Sequence, residues 1–96
     1  MSWIVLVRAE AERDLEAARD WYERKMPGLG REFLDQFATA MQALEQDPER
    51  ERLYYRNFRR VLFRRFPYKI FYQLIGAHVV VFRVLHAKRD HERQIL

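Results

Sequence analysis

The chain predicts an α+β fold in which a helical hairpin packs on one face of a small, mostly antiparallel sheet, in the order β-α-α-β-β-β. Three observations carry this reading. Apolar residues recur at helical spacing in two early segments divided by Pro27-Gly28. The apolar period then changes from 3.6 to 2 and holds through three further segments. Charge divides between the halves: residues 1–52 carry eight Lys and Arg against twelve Asp and Glu, whereas residues 53–96 carry ten against two, a net of −4 facing a net of +8. The strand-rich half is thus the basic half, and a folded surface of one sign meets something of the other.

Trp3 to Val7 is a short β-prone run. After Arg8, residues Ala11, Leu15, Ala18 and Tyr22 follow at spacings of 4, 3 and 4, one stripe of an amphipathic helix. Its other faces are charged, with Arg19–Glu23 and Asp20–Arg24 in reach of one another along the axis. Pro27-Gly28 ends this helix. A second begins at Leu29 and carries Phe33, Phe37, Met41 and Leu44 on one face, ending near Gln46 ahead of Asp47-Pro48. So short a connection makes the two helices antiparallel.

Asp47 to Phe58 is polar and without period, and is expected to be a loop. Arg59–Arg65, Tyr68–Ile75 and His78–His86 then alternate as strands. Pro67 stands at a strand start, where a missing N–H does least harm. Gly76-Ala77 suits a two-residue type II′ hairpin. The apolar sets Val61/Phe63, Ile70/Tyr72/Leu74 and Val80/Phe82/Val84 are expected to cover the helices, since only they bury without stranding a charge. The opposite face would then collect Arg60, Arg64, Lys69, Gln73 and Arg83, interleaved with Leu62, Phe71, Val79, Val81 and Leu85.

Ninety-six residues make one domain, 1–96, with fourteen Phe, Tyr and Trp to fill its core. The absence of cysteine excludes disulfides and thiolate metal sites. His78, His86 and His91 have no metal-binding spacing, and no metal or cofactor is expected. No apolar run approaches membrane-spanning length, and the first residues lack the basic start of a secretion signal. The expected compartment is the cytoplasm.

Trp21-Tyr22, Pro27-Gly28-Leu29-Gly30, Phe33, Phe66-Pro67-Tyr68 with Ile70 and Tyr72, and Val84-Leu85-His86 with Arg89-Asp90 together resemble the ParE branch of the ParE/RelE toxins of bacterial type II toxin-antitoxin systems. The resemblance runs over nearly the whole chain and in order. It implies a cognate, ParD-like antitoxin, operator DNA bound only through that antitoxin, and inhibition of DNA gyrase. The target would be engaged by Arg60, Arg64, Lys69, Arg83, Lys88 and Arg89, and the antitoxin by the helical hairpin and nearby apolar positions, with Trp21, Phe33 and Phe71 as contacts.

Two rival functions stand beside this one. In the RelE branch the resemblance implies cleavage of mRNA on the ribosome, for which Lys69 and Arg89 match basic active-site positions, with Arg65 and His86 as further candidates. Such cleavage needs a group to accept the 2′-OH proton, a cationic clamp and a proton donor for the leaving oxygen. The RelE branch typically carries an aromatic hydroxyl soon after that last arginine, whereas the last tyrosine here is Tyr72; only His91 could take its place. His86 also reads as a hydrogen-bonded histidine at the edge of the core. The third reading is a plain basic module for nucleic acid, because dense cationic donors suit phosphate and acidic protein alike.

Overall fold

A computed structural model describes residues 3–88 of the chain. Its elements are β1 (Ile4–Val7), α1 (Ala9–Lys25), α2 (Leu29–Gln46), a 3-10 turn (Pro48–Arg50), β2 (Leu53–Tyr55), β3 (Phe58–Leu62), β4 (Tyr68–Ile75) and β5 (His78–His86). The five strands form one mixed sheet in the order β1-β5-β4-β3-β2, with β1 parallel to β5 and the other pairs antiparallel. Two helices therefore pack on one face of a mostly antiparallel sheet, as the periodicities predict, and the sheet has five strands.

The turn between the helices is built by its own residues. Gly28 adopts φ 91°, which L side chains rarely enter. The Glu23 carboxylate accepts N–H bonds from Gly28 at 3.0 and 3.1 Å and from Gly30 at 3.0 Å. An acid near the end of one helix thus caps the start of the next, which lacks a side-chain cap of its own. A Cβ on Gly30 would lie 2.7 Å from the Arg19 carbonyl oxygen, so glycine sets how closely the helices approach.

The main core lies between the helices and one face of the sheet. Ala11, Leu15 and Ala18 of α1 and Phe33, Met41 and Leu44 of α2 meet Phe63, Ile70, Tyr72, Val79, Val81 and Val84. Phe33 is its hub, with Tyr22, Phe63, Phe66 and Tyr68 rings at 5.5, 4.9, 5.2 and 5.1 Å. Tyr72 donates its hydroxyl to the Pro48 carbonyl at 2.7 Å, and Arg59 reaches the Glu49 and Glu51 carbonyls. These bonds seat the segment after α2 against the sheet. Among the described residues, no buried side-chain polar atom lacks a partner.

Three sequence expectations are corrected. The expected loop from Asp47 to Phe58 contains β2, which pairs with β3 across a tight turn in which Arg56 takes φ 53°. The expected strand Arg59–Arg65 runs instead from Phe58 to Leu62, leaving Arg64 and Arg65 in the connection to β4.

The third correction concerns the faces of β5. Tyr72 opposes Val81 while Phe71 opposes Arg83, so β5 carries one extra residue, Phe82, at a bulge. An extra residue inverts side-chain parity along the strand. Val79 and Val81 therefore join Val84 in the main core, and Phe82 turns outward instead of inward. Because Val79, Val80, Val81 and Phe82 are all apolar, alternation could not reveal which pair was buried. The outer face acquires a second small cluster, Phe58, Phe71 and Leu85, flanked by Tyr54, Tyr55 and Phe82. No described helix is long and apolar enough to cross a membrane.

Candidate functional site

Two surfaces collect the functional side chains. The first is the outer face of β3 and β4. Arg60 stands opposite Phe71, and Lys69 opposite Leu62 and Leu85. The Arg60 guanidinium lies 3.9 Å over the Tyr54 ring, an arrangement that leaves its N–H edge available to an acceptor. Partial burial and then the neighbouring Arg60 charge hold Lys69 below its ordinary pKa. Two cations are thus held side by side, and neither makes an ion pair among the described residues.

The β2–β3 hairpin extends this surface. Arg50, Arg52, Leu53 and Tyr54 line a shallow groove of about 610 Å³ with Glu51 and Arg60. Arg56 lies 5.2 Å over Tyr55, and on the far side of the outer cluster Arg8 lies 4.4 Å over Phe82. The outer face is consequently an aromatic layer bearing stacked arginines.

The second surface is a groove of about 630 Å³ between α1 and the end of β5. β1 pairs with β5 only as far as Val81, so the remainder of β5 faces α1 with no strand between them. Asp14 spans the gap. It accepts from Arg83 Nε at 2.7 Å, from Arg83 Nη2 at 2.9 Å and from the Val84 N–H at 3.0 Å. The hydrogen bond to Asp14 holds the Arg83 guanidinium above its already high pKa. Trp21, Tyr22, Tyr68 and His86 give the groove an aromatic lining, with Arg24 and Lys88 at its rim. Trp21 is 47% exposed, and the Lys25 ammonium sits 4.8 Å over its ring. His86 meets the Tyr68 ring at 5.3 Å and accepts the Lys88 N–H at Nδ1.

The basic face inferred from alternation is therefore narrower than expected. Arg60, Lys69 and Gln73 share the outer face; Arg83 is turned to Asp14, and Arg64 is exposed in the β3–β4 connection. Arg65 pairs with Glu32 of α2 at 3.1 Å. Lys88 lies at the groove, and Arg89 and His91 lie outside the described residues. Of the proposed antitoxin contacts, Trp21 is accessible, but Phe33 and Phe71 are fully buried. Phe33 is consumed by the main core and Phe71 by the outer cluster, so neither is a surface contact.

Among the described residues, the candidate cleavage residues Arg65, Lys69 and His86 do not converge; Arg89 lies outside them. Lys69 pairs in register with Leu85 on the outer face, whereas His86, the next residue, faces the helices with Tyr68. Arg65 is drawn toward α2. Sequence reasoning missed Arg50, Arg52, Tyr54 and Arg56. Tyr54-Tyr55 between basic residues, followed by the turn-prone Asn57, was the available signal. Among the described residues, no group of acidic or histidine side chains could hold a metal ion.

The fold recurs in solved structures of toxin-antitoxin proteins. A chain of the chromosomal ParDE toxin-antitoxin system from P. aeruginosa superposes with a TM-score of 0.82 at 16% identity, covering 91% of this chain and 98% of that one. A mutant of the E. coli toxin RelE in the free state gives 0.69 at 19% identity, over 99% and 94% of the two chains. The RelBE2 toxin-antitoxin complex of Mycobacterium tuberculosis gives 0.63 at 24% identity, over 90% and 99%. No curated protein matches the sequence significantly. The family model described as the ParE toxin of the type II toxin-antitoxin system parDE matches residues 5–91. That match takes in both helices, all but the first residue of β1 and the whole of the other strands, and the chain belongs to the ParE toxin family.

Proposed function

We propose that this protein is a cytoplasmic type II toxin that acts by binding rather than by cleavage, with DNA gyrase as its target, and that a ParD-like antitoxin neutralises it. The observation that carries this reading is the placement of Lys69 and His86 on opposite faces of the sheet. A phosphate clamp and a proton-transfer group must reach one phosphodiester together, and the opposite placement of these two supports action by binding. Arg60 and Lys69, by contrast, form an open pair of cationic donors beside Tyr54, a surface suited to an acidic partner. Arg64, exposed in the β3–β4 connection, together with Lys88 and Arg89, extends the proposed target contacts.

The antitoxin is assigned to the groove between α1 and β5. Trp21 supplies an exposed aromatic anchor, and Arg24, Lys25 and Lys88 supply positive charge around it. An acidic amphipathic segment that orders on binding fits this chemistry. The toxin is the partner whose activity falls; operator DNA is reached only through the antitoxin.

The test runs supercoiling and translation assays in parallel on purified toxin. Gyrase-driven supercoiling of relaxed plasmid should stop, and combined Arg60→Ala and Lys69→Ala changes should restore it without loss of fold. Cutting of mRNA in a translating extract with supercoiling untouched would replace this reading with the ribonuclease one.

A further inference from the structure

We propose that two copies of this chain associate through the β1 edge, Leu6 against Leu6, to join their sheets into one. β1 is an outer strand of the sheet, and its four residues Ile-Val-Leu-Val contain no charge, no proline and no bulge. Edge strands of soluble proteins are normally blunted by such features. The opposite edge shows the contrast: β2 is three residues long, has a register shift and follows Arg50-Glu51-Arg52. Only β1 is left as an apolar template.

The backbone fixes how a second strand would add. Ile4 N–H donates to Ala77 and Arg8 N–H to Val81, so the even-numbered residues of β1 direct their amides toward β5. The N–H and C=O groups of Val5 and Val7 therefore point away from the sheet. An antiparallel copy related by a two-fold axis at Leu6 sets Val5 opposite Val7 of the second copy, and Val7 opposite its Val5. Each of those pairs can exchange two N–H···O bonds. Leu6 then faces itself in the closer, non-hydrogen-bonded position. The side chains agree: Ile4 is 56% and Leu6 48% exposed on the outer face, while Val5 and Val7 pack toward the main core.

Charge favours a second copy as the occupant over an acidic partner. Across β1 and its neighbours the outer face carries Ile4, Leu6, Val80, His78, Gln73 and Ile75; the nearest cation, Arg8, stacks on Phe82 and is already paired with Glu10 at 2.9 Å, so it is not a free charge with which to recruit an acid. Arg60 lies on β3, so at about 4.8 Å per strand the two Arg60 side chains of a paired sheet stand roughly 34 Å apart. That exceeds the Debye length of about 8 Å in physiological salt. The Arg60 charges of the two copies therefore do not oppose contact at β1.

The absence of native cysteine gives a direct test. Leu6→Cys places two sulfurs across a non-hydrogen-bonded pair, whose Cα separation of about 4.5 Å lies within the range a disulfide spans. Under mild oxidation the full chain with Leu6→Cys should form a covalent dimer roughly tenfold faster than Ile75→Cys, because pairing raises the local thiol concentration. Ile75 is comparably exposed, at 50%, but lies two strands in from the edge. In parallel, sedimentation of the unmodified chain should show a dimer that Leu6→Lys shifts to monomer with the circular dichroism unchanged. Equal oxidation of the two cysteine variants, a monomer at all concentrations, or a dimer indifferent to Leu6→Lys would overturn the proposal. Occupation of β1 by a different protein would appear as a monomer that protects Leu6→Cys from oxidation only when that protein is added, and would overturn it too.

Discussion

Single side chains carry much of the joinery of this small protein. Tyr72 is fully buried in the sheet, and its hydroxyl is the anchor for Pro48. Tyr72→Phe keeps the ring but leaves a buried carbonyl without its donor, and should cost about 1–2 kcal/mol in denaturant unfolding. Burial also holds the Tyr72 hydroxyl neutral well above its ordinary pKa of 10. A folded-state value above the unfolded one means that this stability is fully present below pH 10 and is lost as the pH rises beyond it. The thermal midpoint should therefore fall above pH 10, and Tyr72→Phe should fall less steeply than the parent. Asp14 makes a comparable bridge between layers, serving two Arg83 nitrogens and one backbone N–H just beyond the point where β1 stops pairing with β5. Asp14→Ala removes the acceptor of the Val84 N–H and the carboxylate partner of Arg83. Because the pair is only partly buried, the loss should be about 2 kcal/mol, between exposed and fully buried ion pairs.

At the scale of elements, the helical hairpin depends on how closely α1 and α2 approach. Gly30→Ala introduces a methyl group at 2.7 Å from a backbone oxygen, so the backbones of the two helices must shift to admit it. A destabilisation of about 1–3 kcal/mol, read as a shift in urea midpoint with unchanged slope, is expected. Gly28→Ala meets open space but must adopt φ 91°, so its cost comes from the backbone alone, about 1 kcal/mol. The boundaries of α2, β4 and β5 follow from local chemistry: Asp47-Pro48 after α2, Pro67 before β4 and Gly76-Ala77 between the strands. β2 escaped sequence reasoning because three residues give too short an alternation to exceed its charged surroundings. Its partner β3 ends early because Phe63 and Phe66 both turn into the core and the chain between them bends.

Over the whole molecule, the charge asymmetry of the sequence is redistributed by pairing. Asp14 and Glu32 of the acidic half pair with Arg83 and Arg65 of the basic half, while Arg60 and Lys69 stay together on the outer face beside the arginine-lined groove of the β2–β3 hairpin. Two surfaces are thereby distinguished: a cationic outer face, proposed above for the target, and an aromatic groove at the α1–β5 margin, proposed for the antitoxin. Trp21→Ala should weaken binding of a cognate antitoxin by about 2 kcal/mol in calorimetry, as an exposed aromatic anchor does, while unfolding midpoints stay nearly unchanged. Fold class, helix limits and the last two strands were legible in the sequence because each rests on a local rule. Period decides helix from strand, and Gly or Pro marks where an element stops. The burial of Phe33 and Phe71, the diversion of Arg83 and the separation of Lys69 from His86 were not, because each depends on a neighbour distant in the chain. The bulge at Phe82 is the clearest instance. In a run of four apolar residues either face can be buried, and only the fit of β5 between β4 and α1 selects one.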